Sequence, residues 1–570
     1  MVDIINSPRE SEAAVKQVAS DIRFMNRLRS FVQALFFIIF TVLFFRVSYP
    51  LADDVTRNLF FNLDPLVLFG LALSGSAILS GFLLSAATVA LTVLFGRVFC
   101  GWVCPMGTLF DWSAHAFSAG KPKPPFGKGP FASVKYYILG FFILGSLFGL
   151  TFVFFLDPLV FLFRVFTLNI YPAIIFVANG ALNYLRSSAA SLGFTQLSML
   201  SYQQPAFVFA LFSLLMFLTV IGLIYMERRF WCRNLCPLGA LLSLLSRFSL
   251  WGRRVNDSCI TCSKCAQVCP MNAIGEDFHT TSAHECIQCE RCSAVCPTAA
   301  ISFGFHAPGE QRYTHSPSRR GMIAASAGGM LAAFAAGASV SRQTTRSSLI
   351  RPPGARVEQD FLDTCLRCGE CMKSCPTHGL QPAVSQAGFE GFFTPVLVPR
   401  IGGCEEKCNN CGKICPTGAI RNLPLEEKQY AVIGNAVIER TRCIAWEQGK
   451  LCLVCDEACP YDAIEFHMIT NEKGTIQRPF VIEDKCVGCG QCEHACPVQG
   501  KAAIFVTPLN EVRKNSGSYI TEKVRRLRRV KDEGIDFYKE TGTPLEASPT
   551  PSPALPDSDA EEELPPGFIQ

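Results

Sequence analysis

At 570 residues the chain is long enough for two or three domains, and 49% hydrophobic against 17% charged residues, with 47 phenylalanines, fits a membrane protein better than a soluble one. A formal net charge of +5 is small for that length and gives no argument for nucleic acid binding. The 28 cysteines all fall in short clusters, and secreted disulfide scaffolds are small and lack a long apolar half, so the cysteines read as thiolate metal ligands rather than a disulfide framework.

Residues 1–30 carry Arg9, Lys16, Arg23, Arg27 and Arg29 ahead of the first apolar run, which by the bias of basic residues puts the N-terminus in the cytoplasm. Residues 31–50 are long enough to span a bilayer. A run from Pro65 to Phe99 follows, then a basic loop with Lys121, Lys123, Lys128 and Lys135. Apolar stretches resume at 136–156, 158–185 and 206–226 and stop at Glu227-Arg228-Arg229. The two longest runs could each be one helix or include a re-entrant piece, so four to six helices are expected over 31–250.

This region repeats itself. Leu63-Asp64-Pro65-Leu66-Val67 recurs as Leu156-Asp157-Pro158-Leu159-Val160, and Phe99-Cys100-Gly101-Trp102-Val103-Cys104-Pro105-Met106-Gly107 recurs as Trp231-Cys232-Arg233-Asn234-Leu235-Cys236-Pro237-Leu238-Gly239. Basic residues near both cysteine pairs place them on the cytoplasmic side, so the halves are expected to be parallel repeats. Asp64-Pro65 and Asp157-Pro158 read as helix N-caps followed by Pro at the first helical position; a proton-handling role near a quinone site is the alternative. Cys-x3-Cys at a helix end puts two thiols near one face, one turn apart. Cys100, Cys104, Cys232 and Cys236 could thus converge on one site. They could hold a further metal or cluster, cycle between thiol and disulfide, or be buried structural cysteines.

Next come the regular runs. Cys259, Cys262, Cys265 and Cys269-Pro270, then Cys286, Cys289, Cys292 and Cys296-Pro297, have the C-x2-C-x2-C-x3-C-P spacing of bacterial ferredoxins. There, three ligands of a run hold one [4Fe–4S] cubane and the fourth completes its neighbour. By that rule Cys259, Cys262, Cys265 and Cys296 hold one cluster, and Cys286, Cys289, Cys292 and Cys269 the other. Ala273-Ile274 and Ala300-Ile301 are expected to form the short strands behind them. Zinc is the alternative for thiolates, but zinc sites rarely use eight cysteines in two such runs.

Ser318-Arg319-Arg320 then precedes a mildly apolar stretch, Gly321 to Val340, followed by Arg342, Arg346, Arg351 and Arg356. Beyond it lie four more runs. Cys365, Cys368, Cys371 and Cys375-Pro376 are regular, as are Cys486, Cys489, Cys492 and Cys496-Pro497. Cys404, Cys408, Cys411 and Cys415-Pro416 has one extra residue in its first gap, and Cys443, Cys452, Cys455 and Cys459-Pro460 a much longer one. Sixteen cysteines make four more cubanes, six in all. The irregular middle runs favour nested pairing, first with fourth and second with third, over pairing of neighbours. His494 lies inside a run whose four cysteines already suffice. A basic stretch, Lys523 to Lys531, reads as a solvated helix face, and the Pro/Ser/acidic tail from Thr541 as disordered. There is no C-x-x-C-H for a c-type haem, no Walker A sequence and no G-x-G-x-x-G after a strand.

The expected architecture is therefore a membrane α-helical bundle with an internal parallel repeat, joined to α+β bacterial-ferredoxin-type modules, one two-cluster and one four-cluster. Its parts are a cytoplasmic N-terminal segment (1–30), the transmembrane domain (31–250), the two-cluster module (251–310), a twin-arginine-like hydrophobic segment (318–345), the four-cluster module (351–510), and the basic stretch and tail (511–570).

Phe99 to Pro105 and Cys232 to Pro237, followed by two cluster runs, resemble the membrane ferredoxin subunit of periplasmic nitrate reductase systems over roughly residues 30–305. That family is related to the membrane core of the nitrous-oxide reductase regulator. The regulator's flavin-binding extracytoplasmic domain has no counterpart in this stretch, so covalent flavin is not expected. Ser318-Arg319-Arg320, Arg351-Pro352-Pro353-Gly354-Ala355, the Cys365 run and the long-gapped Cys443 run are similar to the partner periplasmic polyferredoxin, over 318–506. The resemblance implies a fusion of two subunits, with quinol from the quinone pool oxidised in the bacterial inner membrane and electrons passed to a periplasmic reductase or cytochrome. Ser318-Arg319-Arg320-Gly321 also resembles a twin-arginine export signal, although Met322-Ile323-Ala324 replaces the usual Phe-Leu-Lys. The first ferredoxin module is then cytoplasmic and the second periplasmic. A wholly cytoplasmic polyferredoxin docking platform and a redox sensor or maturation factor for a reductase are the competing readings.

Overall fold

The computed structural model describes residues 8–47, 58–73, 82–117, 131–147, 152–191, 202–305, 318–341, 349–384, 386–388, 390–471 and 474–520. Lys121, Lys123, Lys128, Arg342, Arg346, the basic stretch at 523–531 and the acidic tail lie outside them. Residues 1–515 form one compact unit; of a second, 516–570, only 516–520 are described.

Helix α1 (Pro8–Arg46) runs the basic N-terminal residues and the first apolar stretch into one element. A short helix α2 (Leu59–Asn62) leads to Asp64, and α3 (Pro65–Leu73) starts at the following proline. Then come α4 (Phe82–Phe95), α5 (Pro105–Ala116), α6 (Val134–Leu147), α7 (Pro158–Val165), α8 (Tyr171–Ser191), α9 (Ala210–Gly222) and α10 (Pro237–Leu245). The aspartates do cap helices. Asp157 Oδ1 accepts from Leu159 N at 2.9 Å and Val160 N at 3.0 Å, and Asp64 Oδ1 from Leu66 N at 2.8 Å. The carboxyls of these two repeat-related residues also face one another, fully buried.

Among the described residues, Phe24–Arg46 and Pro158–Arg186 are long and apolar enough to cross a bilayer by length and composition. Shorter apolar helices occupy Leu83–Phe95, Val134–Leu147, Ala210–Tyr225 and Pro237–Phe248. Within the run from Pro65, α3 and α4 stand on either side of residues 74–81, which lie outside the described residues. The run from Pro158 continues through a π-helical turn, Phe166–Ile170, into α8. A phenylalanine-rich core joins these helices, with Phe40 against Phe60, Phe163 and Phe166, and Phe61 stacked on Phe163 at 4.4 Å.

The first cysteine module is closed by antiparallel strands β1 (Trp251–Val255) and β2 (Ile301–Phe305). Ile301 therefore opens a strand as expected, whereas Ile274 makes only a single bridge to Thr281. Helix α11 (Arg319–Ser341) lies along α6. Small residues allow close contact: Ser318 Oγ is 3.1 Å from Tyr137 Oη, and a Cβ on Gly329 would overlap the Phe141 carbonyl at 2.0 Å. The second module follows with three antiparallel pairs: β3 (Leu380–Pro382) with β4 (Pro395–Leu397), β5 (Asn435–Ile438) with β8 (Ile504–Thr507), and β6 (Ile464–Asn471) with β7 (Gly474–Val481).

The two modules meet α1 at separate points, one near its middle and one at its C-terminal end. Near its middle, Arg29 binds Asp111 at 2.7 Å, and Gln33 donates to the Gly101 carbonyl, beside the first module's Arg291. At its far end the Phe44 carbonyl accepts from Lys373 Nζ of the second module. Fifteen residues at about 1.5 Å each separate these contacts by about 22 Å. Helix α6 has the same polarity, with Lys135 on Glu285 of the first module at 2.5 Å and Phe155, just beyond its C-terminus, against Phe392 and Phe393 of the second.

An ion-pair cluster ties the second module's ends together. Glu358 binds Arg351 at 2.6 Å and Arg513 at 2.5 Å. Burial opposes its charge, yet the two guanidinium groups hold the carboxyl down to about 2. A depressed carboxylate contributes stability above its ordinary pKa that is lost as pH falls toward its folded value. Glu358→Gln is therefore expected to cost the module about 3 kcal/mol at pH 7 in chemical denaturation, with the difference from the unmodified chain narrowing between about pH 4.5 and 2.

Candidate metal centres

Each regular run is shaped by two left-handed residues bracketing its second cysteine. These are Thr261 and Ser263 around Cys262, Gln288 and Glu290 around Cys289, Arg367 and Gly369 around Cys368, and Gly488 and Gly490 around Cys489. Five of the eight are not glycine, a strained choice that the surrounding loop holds in place. The left-handed pair reverses the chain twice within four residues, so three thiols of the run turn into one hollow. The irregular Cys404 and Cys443 runs lack this signature.

The thiols gather in sets of four drawn from two runs. Cys269, Cys286, Cys289 and Cys292 line one hollow of about 370 Å³ with Arg253 and Met271. Cys265 neighbours both Cys259 and Cys262, and Cys296 shares their apolar cluster with Cys269 and Cys292. The first of these sets is the one the ferredoxin rule gives. In the second module Cys365, Cys368 and Cys371 gather with Cys415, and Cys404, Cys408 and Cys411 with Cys375. Cys443, Cys452, Cys455 and Cys496 line a hollow of about 380 Å³, and Cys459, Cys486, Cys489 and Cys492 one of about 320 Å³. The pairing is thus between neighbouring runs, contrary to the nested pairing that the irregular gaps suggest. β5 pairs with β8 and places the third run beside the fourth; the extra residues in the gaps are absorbed by loops. If neighbours share clusters, adding Cys415→Ser to a variant lacking Cys365, Cys368 and Cys371 should remove no further iron, whereas nested pairing would cost a second cluster.

The donor sets, four thiols drawn from two runs, have the chemistry that holds a cubane. Backbone amides already point at sulfur, Ala273 N to Cys269 Sγ at 3.3 Å, Ala436 N to Cys486 Sγ and Ala463 N to Cys459 Sγ at 3.4 Å. Such donors favour thiolate over thiol. Arg253 reaches Cys265 Sγ at 3.8 Å. Without metal, burial pushes the thiols of Cys286, Cys455 and Cys489 up to about 12, so loading must release protons. His494 stands outside every set, 3.4 Å from the Arg400 carbonyl.

Cys100, Cys104, Cys232 and Cys236 also converge. Cys236 lies within electrostatic reach of the other three, and Cys104 and Cys232 both neighbour Cys100. Cys100 sits in a π-helical turn, Phe99–Val103, a distortion common at functional sites. This set adjoins the first module. Cys100 packs in one apolar cluster with Cys269, Cys286 and Cys289 around Ile287, and a Cβ on Gly101 would meet the Ile287 carbonyl at 2.3 Å. Trp102 Nε1 donates to the Gln288 carbonyl at 3.0 Å. The sequence reading missed the charged frame here: Arg29, Arg97, Lys135 and Arg229 against Asp111 and Glu285. The repeat held the clue, because Arg97 and Arg229 each stand three residues before a repeated cysteine.

At the other end, Leu366 and Cys368 join the phenylalanine core beside Phe163 and Phe166. Arg164 donates to the Arg367 carbonyl at 3.0 Å, while its two terminal nitrogens are buried without a hydrogen-bond partner, the guanidinium lying over the Phe155 and Phe393 rings with Cys365 and Cys368 as neighbours. Deeper in the module Cys404 N donates to the Cys489 carbonyl at 2.7 Å, linking the first pair of sets to the second.

A 4Fe-4S binding domain matches residues 77–125 and 209–256, a 4Fe-4S dicluster domain matches 285–379 and 450–499, and a further 4Fe-4S binding domain matches 254–275. The chain is 39% identical to the methylamine utilization ferredoxin-type protein MauM of Methylobacillus flagellatus over 30% of this chain and 72% of that one. The MauM of Methylorubrum extorquens is 38% identical over 34% of this chain and 90% of its own length. The ferredoxin-type protein NapG of Escherichia coli is 36% identical over 35% and 87%. No solved structure matches.

Proposed function

The chain belongs to the family of ferredoxin-type iron–sulfur electron-transfer proteins that MauM and NapG represent, and from that premise we propose that it is a membrane-bound conduit for electrons from quinol. The electrons leave through [4Fe–4S] clusters toward a periplasmic reductase or cytochrome. The observation that carries the reading is the arrangement of the cysteine sets in series. One module's inner set touches the Cys100 site at one end of the phenylalanine core, and the Cys365 and Cys368 set touches the other end. Clusters supply the one-electron chemistry when bound, and this chain's residues fix their order and surroundings.

Six ferredoxin-type clusters are held by the 24 cysteines of the six runs, in the sets described above. In the first module, Cys262 is exposed, which makes its set the natural contact for a cytoplasmic partner. The Cys443 set, lined by the half-buried Cys452 and Cys455, is the exit farthest along the second module. The fusion of a membrane subunit with its polyferredoxin partner gives this order without a docking step.

The test is stoichiometric. Anaerobically purified protein should hold about 24 iron atoms per chain from six cubanes, and about 28 if the Cys100 site carries one more. Iron near half the lower value, with zinc making up the difference, would end the six-cluster assignment.

A further inference from the structure

The four-cysteine site has a cationic frame that crosses between the repeats. Arg229 donates from Nη1 to the Cys100 carbonyl at 3.1 Å and from Nη2 to the Gly107 carbonyl at 3.2 Å, so the second repeat's arginine embraces the first repeat's cysteine turn. Arg97, from the first repeat, lies against the second repeat's turn: a Cβ on Gly239 would stand 2.9 Å from Arg97 Nη2 and 3.1 Å from the Cys232 carbonyl. The match at Gly107 is reciprocal, since a Cβ there would meet the Cys100 carbonyl at 2.8 Å and Arg229 Nη2 at 3.5 Å. Arg97 Nη2 also approaches Cys100 Sγ at 4.0 Å, and its Nε is buried with no partner. The repeated pattern is thus Arg-x2-Cys-x3-Cys-Pro-x-Gly, with glycine leaving room for the other repeat's guanidinium.

Among the described residues the charges of this frame do not balance. Arg29, Arg97, Lys135 and Arg229 are at most 3% exposed, and two carboxylates, Asp111 and Glu285, pair with them. Two positive charges are left over, and an uncompensated buried charge is strongly destabilising. Four neutral thiols would not offset it. Four thiolates around an iron–sulfur core carry a net negative charge that would.

We propose that Arg97 and Arg229 are reciprocal positioning residues for an iron–sulfur centre held by Cys100, Cys104, Cys232 and Cys236, each guanidinium setting the reduction potential of a centre whose ligands come partly from the other repeat. The inference rests on reading those cysteines as a metal site. The centre is a one-electron relay: it gains an electron on reduction and passes it on unchanged in composition. A cation beside it stabilises the reduced, more negative state.

The experiment uses the full-length protein in detergent, with Arg97→Gln, Arg229→Gln, the matching Arg→Lys variants, and Cys100→Ser as the site knockout. Iron and labile sulfide per chain and an EPR-monitored redox titration are read together, and the six ferredoxin-type clusters serve as the internal folding control. Relative to Cys100→Ser, the unmodified protein should show extra iron and one extra redox centre. Each Gln variant should keep the six clusters and lower that centre's potential, shifting its reduction equilibrium tenfold or more, about 59 mV for one electron. The Lys variants should recover most of the shift. Gln variants with unchanged potential and iron would overturn the role of the arginines while leaving the centre in place. Identical iron and spectra in the unmodified and Cys100→Ser proteins would overturn the centre, and the inference with it. If the Gln variants fail to accumulate, the Lys variants decide, since a full drop in potential with charge retained would exclude charge as the cause.

Discussion

Cys100→Ser or Cys236→Ser is expected to leave the six ferredoxin-type spectra intact and to reduce quinol-driven reduction of the second module's clusters to background. The reason is geometric. About 22 Å of α1 separates the contacts that the two modules make with it, too far for one hop between soluble modules. The four-cysteine site stands at one end of that gap, packed on the first module's inner set. From it, Trp231, next to Cys232, stacks with Phe161 at 6.0 Å, and Phe163 and Phe166 continue to Cys368. Serine is nearly isosteric with cysteine, so packing survives while the soft ligand is lost. The measurement is anaerobic stopped-flow reduction by a quinol analogue, followed in the visible absorbance of the clusters. Unchanged rates in both variants would return these cysteines to a structural role.

Replacing Arg319 and Arg320 together by Lys should strand the second module on the cytoplasmic side with the first still assembled. Clusters are inserted in the cytoplasm, so the 365–506 module must cross already folded if it works outside. Helix α11, which those arginines open, has 23 residues and is about 34 Å long, against a hydrocarbon core of about 30 Å. It starts at Tyr137 beside the first module and runs along α6 in the same direction, toward the end where the second module packs. In spheroplasts, external protease should digest residues 365–506 of the unmodified protein and spare them in the Lys pair. Protection of that module in the unmodified protein would make the cytoplasmic platform the better reading.

Cluster chemistry is written locally in this sequence. A C-x2-C-x2-C-x3-C-P run brings three thiols together within a dozen residues, where chain connectivity and two left-handed turns do most of the work. The spacing therefore gave the ligand-rich segments, their cofactor class and the repeated Cys-x3-Cys pairs without any knowledge of the fold. The Asp-Pro caps were legible for the same reason, because an N-cap acts on amides two or three residues away.

What needed tertiary structure was every relation between distant segments. Which run completes which cluster depends on β5 meeting β8, and the gap lengths misled because loops absorb them. The π-helical turn in the run from Pro158 was equally illegible, since hydropathy is the same on both sides of Phe166–Ile170. The frame of Arg97 and Arg229 was invisible for a further reason. A buried arginine looks like any basic residue of a loop until folding shows what faces it, and here the groups that face it come from the opposite repeat. Sequence determined the cysteine runs, because their spacing acts through neighbours in the chain; the fold alone decided which run faces which and what faces Arg97 and Arg229, because those contacts join separate segments, in the arginines' case more than a hundred positions apart.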